Sequence, residues 1–106
     1  MKTFTIKVPR HPGRNIRIIV ADRAWVAKGF DGEPLRKGYE AAAWFHPSLR
    51  AKYRVGTIAL SSVDLNLVAH ECCHAAHHLG GDEERVCLLT GELTTKVWER
   101  LTKERP

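Results

Sequence analysis

Five residues, His70-Glu71-Cys72-Cys73-His74, constrain this chain more tightly than any other stretch. Residues four apart on an α-helix lie about 40° apart around the axis, since each residue turns about 100°. Inside a helix, His70 and His74 therefore project from one face, one turn apart, and Glu71 lies beside that face. Such a pair can share a metal ion, and the glutamate can take a proton from a water held there. The flanks support a helix. Val63, Leu67, Ala69, Cys73, Ala75 and Ala76 supply apolar contacts, and neither Pro nor Gly interrupts the run before Gly80. Ser61 is the N-cap candidate, with Asp64 three residues on as a variant of the capping box. Gly80-Gly81 supplies the stop. Two incidental histidines on an ordinary helix are the competing reading, and the context favours the metal.

Beyond Gly80-Gly81, residues Asp82 to Lys103 read as a second helix. Asp82 caps it, and Glu83-Glu84 suit its positive end. Val86, Leu89, Leu93, Val97 and Leu101 recur at intervals of three or four, with Trp98 alongside. Gly91 costs roughly 1 kcal/mol relative to Ala, a cost that a close approach to the first helix would explain. A catalytic zinc takes three protein ligands plus water, so the two histidines need a partner. The glycine turn folds the second helix back, and Glu83 and Glu84 both qualify by reach, with Glu84 preferred. His77 and His78 are rivals, but three ligands on one straight helix would lie along a line rather than surround an ion.

Upstream, the pattern is that of strands. Phe4, Ile6 and Val8 alternate with Thr3, Thr5 and Lys7, and a second strand runs from Asn15 to Ala21. The turn from Pro9 to Arg14 joins them as a hairpin. Asp22 is placed to cap a short helix carrying Trp25 and Val26 and ended by Gly29. A third strand is expected over Ala42 to His46, and a fourth over Val55 to Leu60, running into the motif helix. As an edge strand, this last one would offer free backbone groups to an extended peptide. As an internal strand it would not. The expected class is α+β: a small, mostly antiparallel sheet packed on the motif helix and a following antiparallel helix, forming a single domain over residues 1–106.

Composition sets limits. With 17 Lys and Arg against 12 Asp and Glu, the formal net charge is +5. Nucleic acid is one partner such a surface suits, but no cationic cluster interleaved with aromatics stands out, and solubility is the preferred explanation. The start, Met1-Lys2-Thr3-Phe4-Thr5, lacks the apolar run of a signal peptide, and no stretch approaches the ~20 apolar residues needed to span a bilayer. No membrane partner and a cytoplasmic location are expected. Three cysteines are an odd number, and adjacent Cys72 and Cys73 are poorly placed to pair with each other. All three are expected to be reduced thiols in or near the core. Thiolate ligation by Cys73 or Cys87 is the sharper alternative.

His70-Glu71-Cys72-Cys73-His74 followed by Glu83-Glu84-Arg85-Val86-Cys87-Leu88-Leu89-Thr90-Gly91 resembles the zincin metallopeptidases of the gluzincin type. It is most similar to the very small predicted metallopeptidases encoded by phages and prophages. The similarity covers roughly Val55 to Leu101. It implies a minimal zincin-like fold, a Zn2+ cofactor held by His70, His74 and Glu84, and Glu71 as general base in hydrolysis of a peptide or protein substrate. A phage origin would place the protein in the host cytoplasm. Tyr39, His46, Tyr53 and Arg100 are the groups that sequence offers for steadying an oxyanion. An inactive zincin-fold binding module, associated with nucleic acid, is the alternative. The sequence leaves the oligomeric state open.

Overall fold

A computed structural model describes residues 2–27, 41–45 and 56–103. In chain order these form β1 (Lys2–Lys7), β2 (Asn15–Val20), α1 (Arg23–Ala27), β3 (Ala41–Phe45), β4 (Gly56–Leu60), α2 (Leu65–Leu79) and α3 (Glu83–Lys103). The class is α+β. The four strands make one mixed sheet in the order β1-β2-β4-β3. β1 and β2 pair antiparallel, with Phe4 opposite Ile18 and Ile6 opposite Ile16. β2 and β4 run parallel, Ile18 opposite Ile58, and β3 closes the sheet antiparallel to β4.

The alternation seen in the sequence sets which face is covered. Phe4, Ile6, Val8, Ile16, Ile18, Ile58 and Leu60 share one side and meet α2 and α3. Val68, Cys72, Ala75 and Ala76 come from α2, and Val86, Leu89, Leu93, Val97 and Leu101 from α3. Each fully buried Leu, Ile or Val stabilises the fold by about 1.5–3 kcal/mol over its exposed state. On the opposite side, Val26 of α1 packs with Ile19 and Ala59. Asp22 caps that short helix, accepting from the Trp25 amide at 2.8 Å. Its expected end at Gly29 lies outside the described residues.

Around the motif helix the structure decides one open alternative and corrects one expectation. β4 is internal, hydrogen-bonded on both sides, and buried along its whole length. It has no free edge for a peptide. The outer strands are β1 and β3. The N-cap is Asp64, not Ser61: Asp64 has extended backbone (φ −133°, ψ 127°), and its carboxylate accepts from the Leu67 amide at 3.1 Å. A short side-chain acceptor directly before the first helical residue satisfies an orphan amide, whereas Ser61 sits in a bend too far upstream.

Gly80, at φ 80°, ends α2, its N–H shared between the Ala76 and His77 carbonyls at 3.1 Å each. Gly81 follows at φ 109°, also left-handed. Asp82 then caps α3 through the Arg85 amide at 2.9 Å. Three linking residues thus reverse the chain and lay α3 back along α2. Gly91 is not at that contact. It is exposed, and a Cβ built on it meets nothing within 4 Å. Gly91→Ala is therefore expected to stabilise the protein by about 1 kcal/mol, raising the melting temperature about 4–8 °C in a calorimetric scan.

Candidate metal centre

α2 buries Val68, Glu71, Cys72, Ala75 and Ala76. That spacing is the apolar stripe of an amphipathic helix, with one acid at its margin. The Glu71 side chain is 6% exposed, while that of His70, one residue earlier, is 67% exposed. The motif therefore straddles the boundary between core and surface. His70 and His74 stand outside, and Glu71 lies just within.

The two imidazoles meet. Their Nε2 atoms are 3.1 Å apart, with the rings nearly perpendicular at 80°. Glu71 Oε1 lies 3.9 Å from His70 Nε2. One ligand atom from each of His70, Glu71 and His74 falls within 4.8 Å of the others. Two Zn–N bonds of ~2.05 Å at a tetrahedral angle separate their nitrogens by roughly 3.3 Å. The pair is thus spaced to within a few tenths of an ångström for chelation of one ion. The chemistry of these donors, two imidazoles and a carboxylate, suits a divalent transition metal.

The electrostatics favour the neutral forms of His74 and Glu71. Partial desolvation, and then His70 and His77, hold the His74 imidazolium below its ordinary pKa. Its neutral form, which carries the free lone pair, persists to lower pH. Burial pushes the Glu71 carboxyl up, with His70 pulling the other way. A carboxyl perturbed by desolvation beside a candidate metal position is the kind of group found at functional sites.

The structure does not bring the second helix's acids to this group. Glu84 is exposed in the first turn of α3 and is not among the three clustered donors. Glu83 lines a groove between α2 and α3 together with Cys73, His77 and Cys87. His78 is exposed. Of the groups considered for an oxyanion, Tyr39, His46 and Tyr53 lie outside the described residues. Arg100 stands 4.7 Å over the Phe4 ring.

The cysteines form no disulfide, but they are not equally placed: Cys72 is buried, Cys73 half-buried and Cys87 exposed. Cys87 belongs to the surface rather than the core, because it lies off the Val86–Leu89–Leu93 stripe. Burial pushes the Cys72 thiol up to about 12, against a hydrogen bond with Thr94, so it is an inert packing group. Sequence reasoning missed the burial of Glu71. The 68-71-72-75-76 spacing carries that signal once Asp64 is taken as the helix start.

Among the described residues, no helix is long and apolar enough to cross a membrane. Compared with known proteins, the chain matches no family model, and no curated protein or solved structure matches it significantly.

Proposed function

We propose that the protein is a zinc-dependent peptidase whose metal is held by His70 and His74, with a carboxylate of α3 completing the set. The observation that carries this reading is the 3.1 Å separation of two exposed imidazole nitrogens beside a buried glutamate. Zinc bound there would supply a water acidic enough to ionise near neutral pH and a Lewis acid for the scissile carbonyl. Glu71 takes the proton at a carboxylate oxygen and returns it to the leaving amine. Glu84 is the ligand that the zincin resemblance suggests. It needs a rotamer that turns back toward α2, which its exposure permits.

A non-catalytic metal or docking module is the second reading. It is favoured by the absence of an α3 carboxylate from the clustered donors. Metal binding without turnover of any peptide would support it.

Zinc titration of the purified chain tests the proposal. The wild type is expected to bind one ion. His70→Ala and His74→Ala are each expected to weaken binding beyond the ~10–100-fold loss typical of an outer-shell contact. Glu84→Ala should do the same, and unchanged affinity there with a loss in Glu83→Ala would move the third ligand one residue. Undiminished binding by His70→Ala would refute the site.

A further inference from the structure

A groove separates β1 from the C-terminal half of α3, and its cations are Lys7, Lys96, Arg100 and Lys103. All four are exposed. One acid, Glu99, shares the groove. Four charges minus one leave +3, more than half of the formal +5 that 17 basic and 12 acidic residues give the whole chain. The nearby Glu92 is paired mainly with Arg10, outside the groove. Both its oxygens accept from the Arg10 guanidinium, at 2.9 and 2.6 Å. Arg10, and more weakly Lys96, hold that carboxyl below its ordinary range.

The cations form a row rather than a knot. Lys96, Arg100 and Lys103 recur at intervals of four and three along one flank of α3, so they rise by about 6 and 4.5 Å along the axis. Two are positioned by the fold. Lys96 Nζ donates to the Lys7 carbonyl at 3.2 Å, and Arg100 Cζ lies 4.7 Å from the centre of the Phe4 ring. β1 is an outer strand, and no further strand among the described residues covers this side. A row of cations about 10 Å long suits a polymer that carries a charge on every repeat unit, and a guanidinium offers paired donors to phosphate oxygens. Among the described residues no aromatic side chain lines the groove, so nothing there selects bases by stacking.

We infer that this groove binds the phosphate backbone of a nucleic acid without reading its sequence. None of its residues lies on α2, so the inference is independent of metal and of hydrolysis. The test is fluorescence anisotropy with two labelled oligodeoxynucleotides of unrelated sequence, using the full chain with a chelator present. Both are expected to bind alike. The logarithm of affinity should fall with the logarithm of salt at a slope of about −3, as four phosphate contacts predict. Lys96→Gln/Lys103→Gln should flatten that slope by about 1.4 and weaken binding about tenfold or more in low salt. Arg23→Gln/Arg85→Gln removes the same charge elsewhere and should leave the slope unchanged. Should the groove variant melt early, Lys103→Gln alone carries the comparison, with half the change in slope. Equal losses in the two double variants, no binding by the wild type, or competition by polyglutamate as strong as by unlabelled oligonucleotide would each overturn the assignment.

Discussion

Glu71→Gln is expected to leave zinc bound while lowering peptide hydrolysis by about 10²–10⁴-fold, the range that a positioned acid–base group supplies. The amide keeps the shape of the carboxylate but cannot accept the proton. In the metal-free protein the same substitution should raise stability at neutral pH. Burial lifts the folded-state pKa of this carboxyl above its unfolded value. The folded state therefore holds the proton more tightly. Stability is greatest below the unfolded carboxylate pKa and declines as pH rises through the interval up to the folded value. Glutamine has no such decline. Urea midpoints of the two chelator-treated proteins should thus separate as pH rises across that interval, with the variant the more stable. Zinc-loaded wild type no more active than the variant on any peptide would end the catalytic proposal. Coincident urea curves at every pH would show that the carboxyl is not desolvated.

The largest effect on the fold is expected from Leu93→Ala. Leu93 is fully buried at the centre of the α3 stripe, within the cluster that joins both long helices to the sheet. Truncation removes the transfer free energy of the lost carbons and leaves a cavity that close-packed neighbours fill only in part. The combined cost is about 2–5 kcal/mol. A domain of this size is stable by about 5–15 kcal/mol in all. The melting temperature should fall by at least about 8 °C, as circular dichroism would read. Leu88, 56% exposed on the other side of the same helix, is the control. Its replacement by Ala should change stability by no more than about 0.5 kcal/mol. A Leu93→Ala protein that melts with the Leu88→Ala protein would mean that α3 does not sit on the sheet as described.

The two long helices and β1, β2 and β4 were legible in the sequence because each has a single wet side and a single dry side, or is wholly dry; β3 was legible from its aromatics and from Pro47, which follows it. The period of two in Phe4, Ile6 and Val8 and the three-to-four spacing from Val86 to Leu101 are direct records of that partition. Strand order was not legible. β4 reads as one apolar run whether it lies at an edge or inside, and it is the parallel ladder with β2 that places it inside. The helix start was misread because Ser61 and Asp64 are both good caps, and only backbone conformation chooses between them. Gly91 reads in the sequence as a packing device, but a glycine records only the lack of a side chain, not which way the space faces. The pairing of His70 and His74 followed from helix geometry alone. The third ligand did not, since it depends on how α3 is rotated about its axis. The cationic groove was invisible for a related reason: Lys7 is 89 residues from Lys96.

The register that sets Ile18 opposite Ile58 joins positions 40 residues apart, 58 minus 18, whereas three residues suffice to link α2 to α3. Chain-closure entropy rises with the logarithm of that length, so the central ladder costs about 2 kcal/mol more to bring together than the helical hairpin. The hairpin is the cheaper nucleus and is expected to form first, with the sheet condensing onto it. In pulse-labelled exchange, amides of α2 and α3 would then gain protection before those of β2 and β4. The histidine pair, contained within one turn of α2, is ready before the rest of the molecule has closed around it.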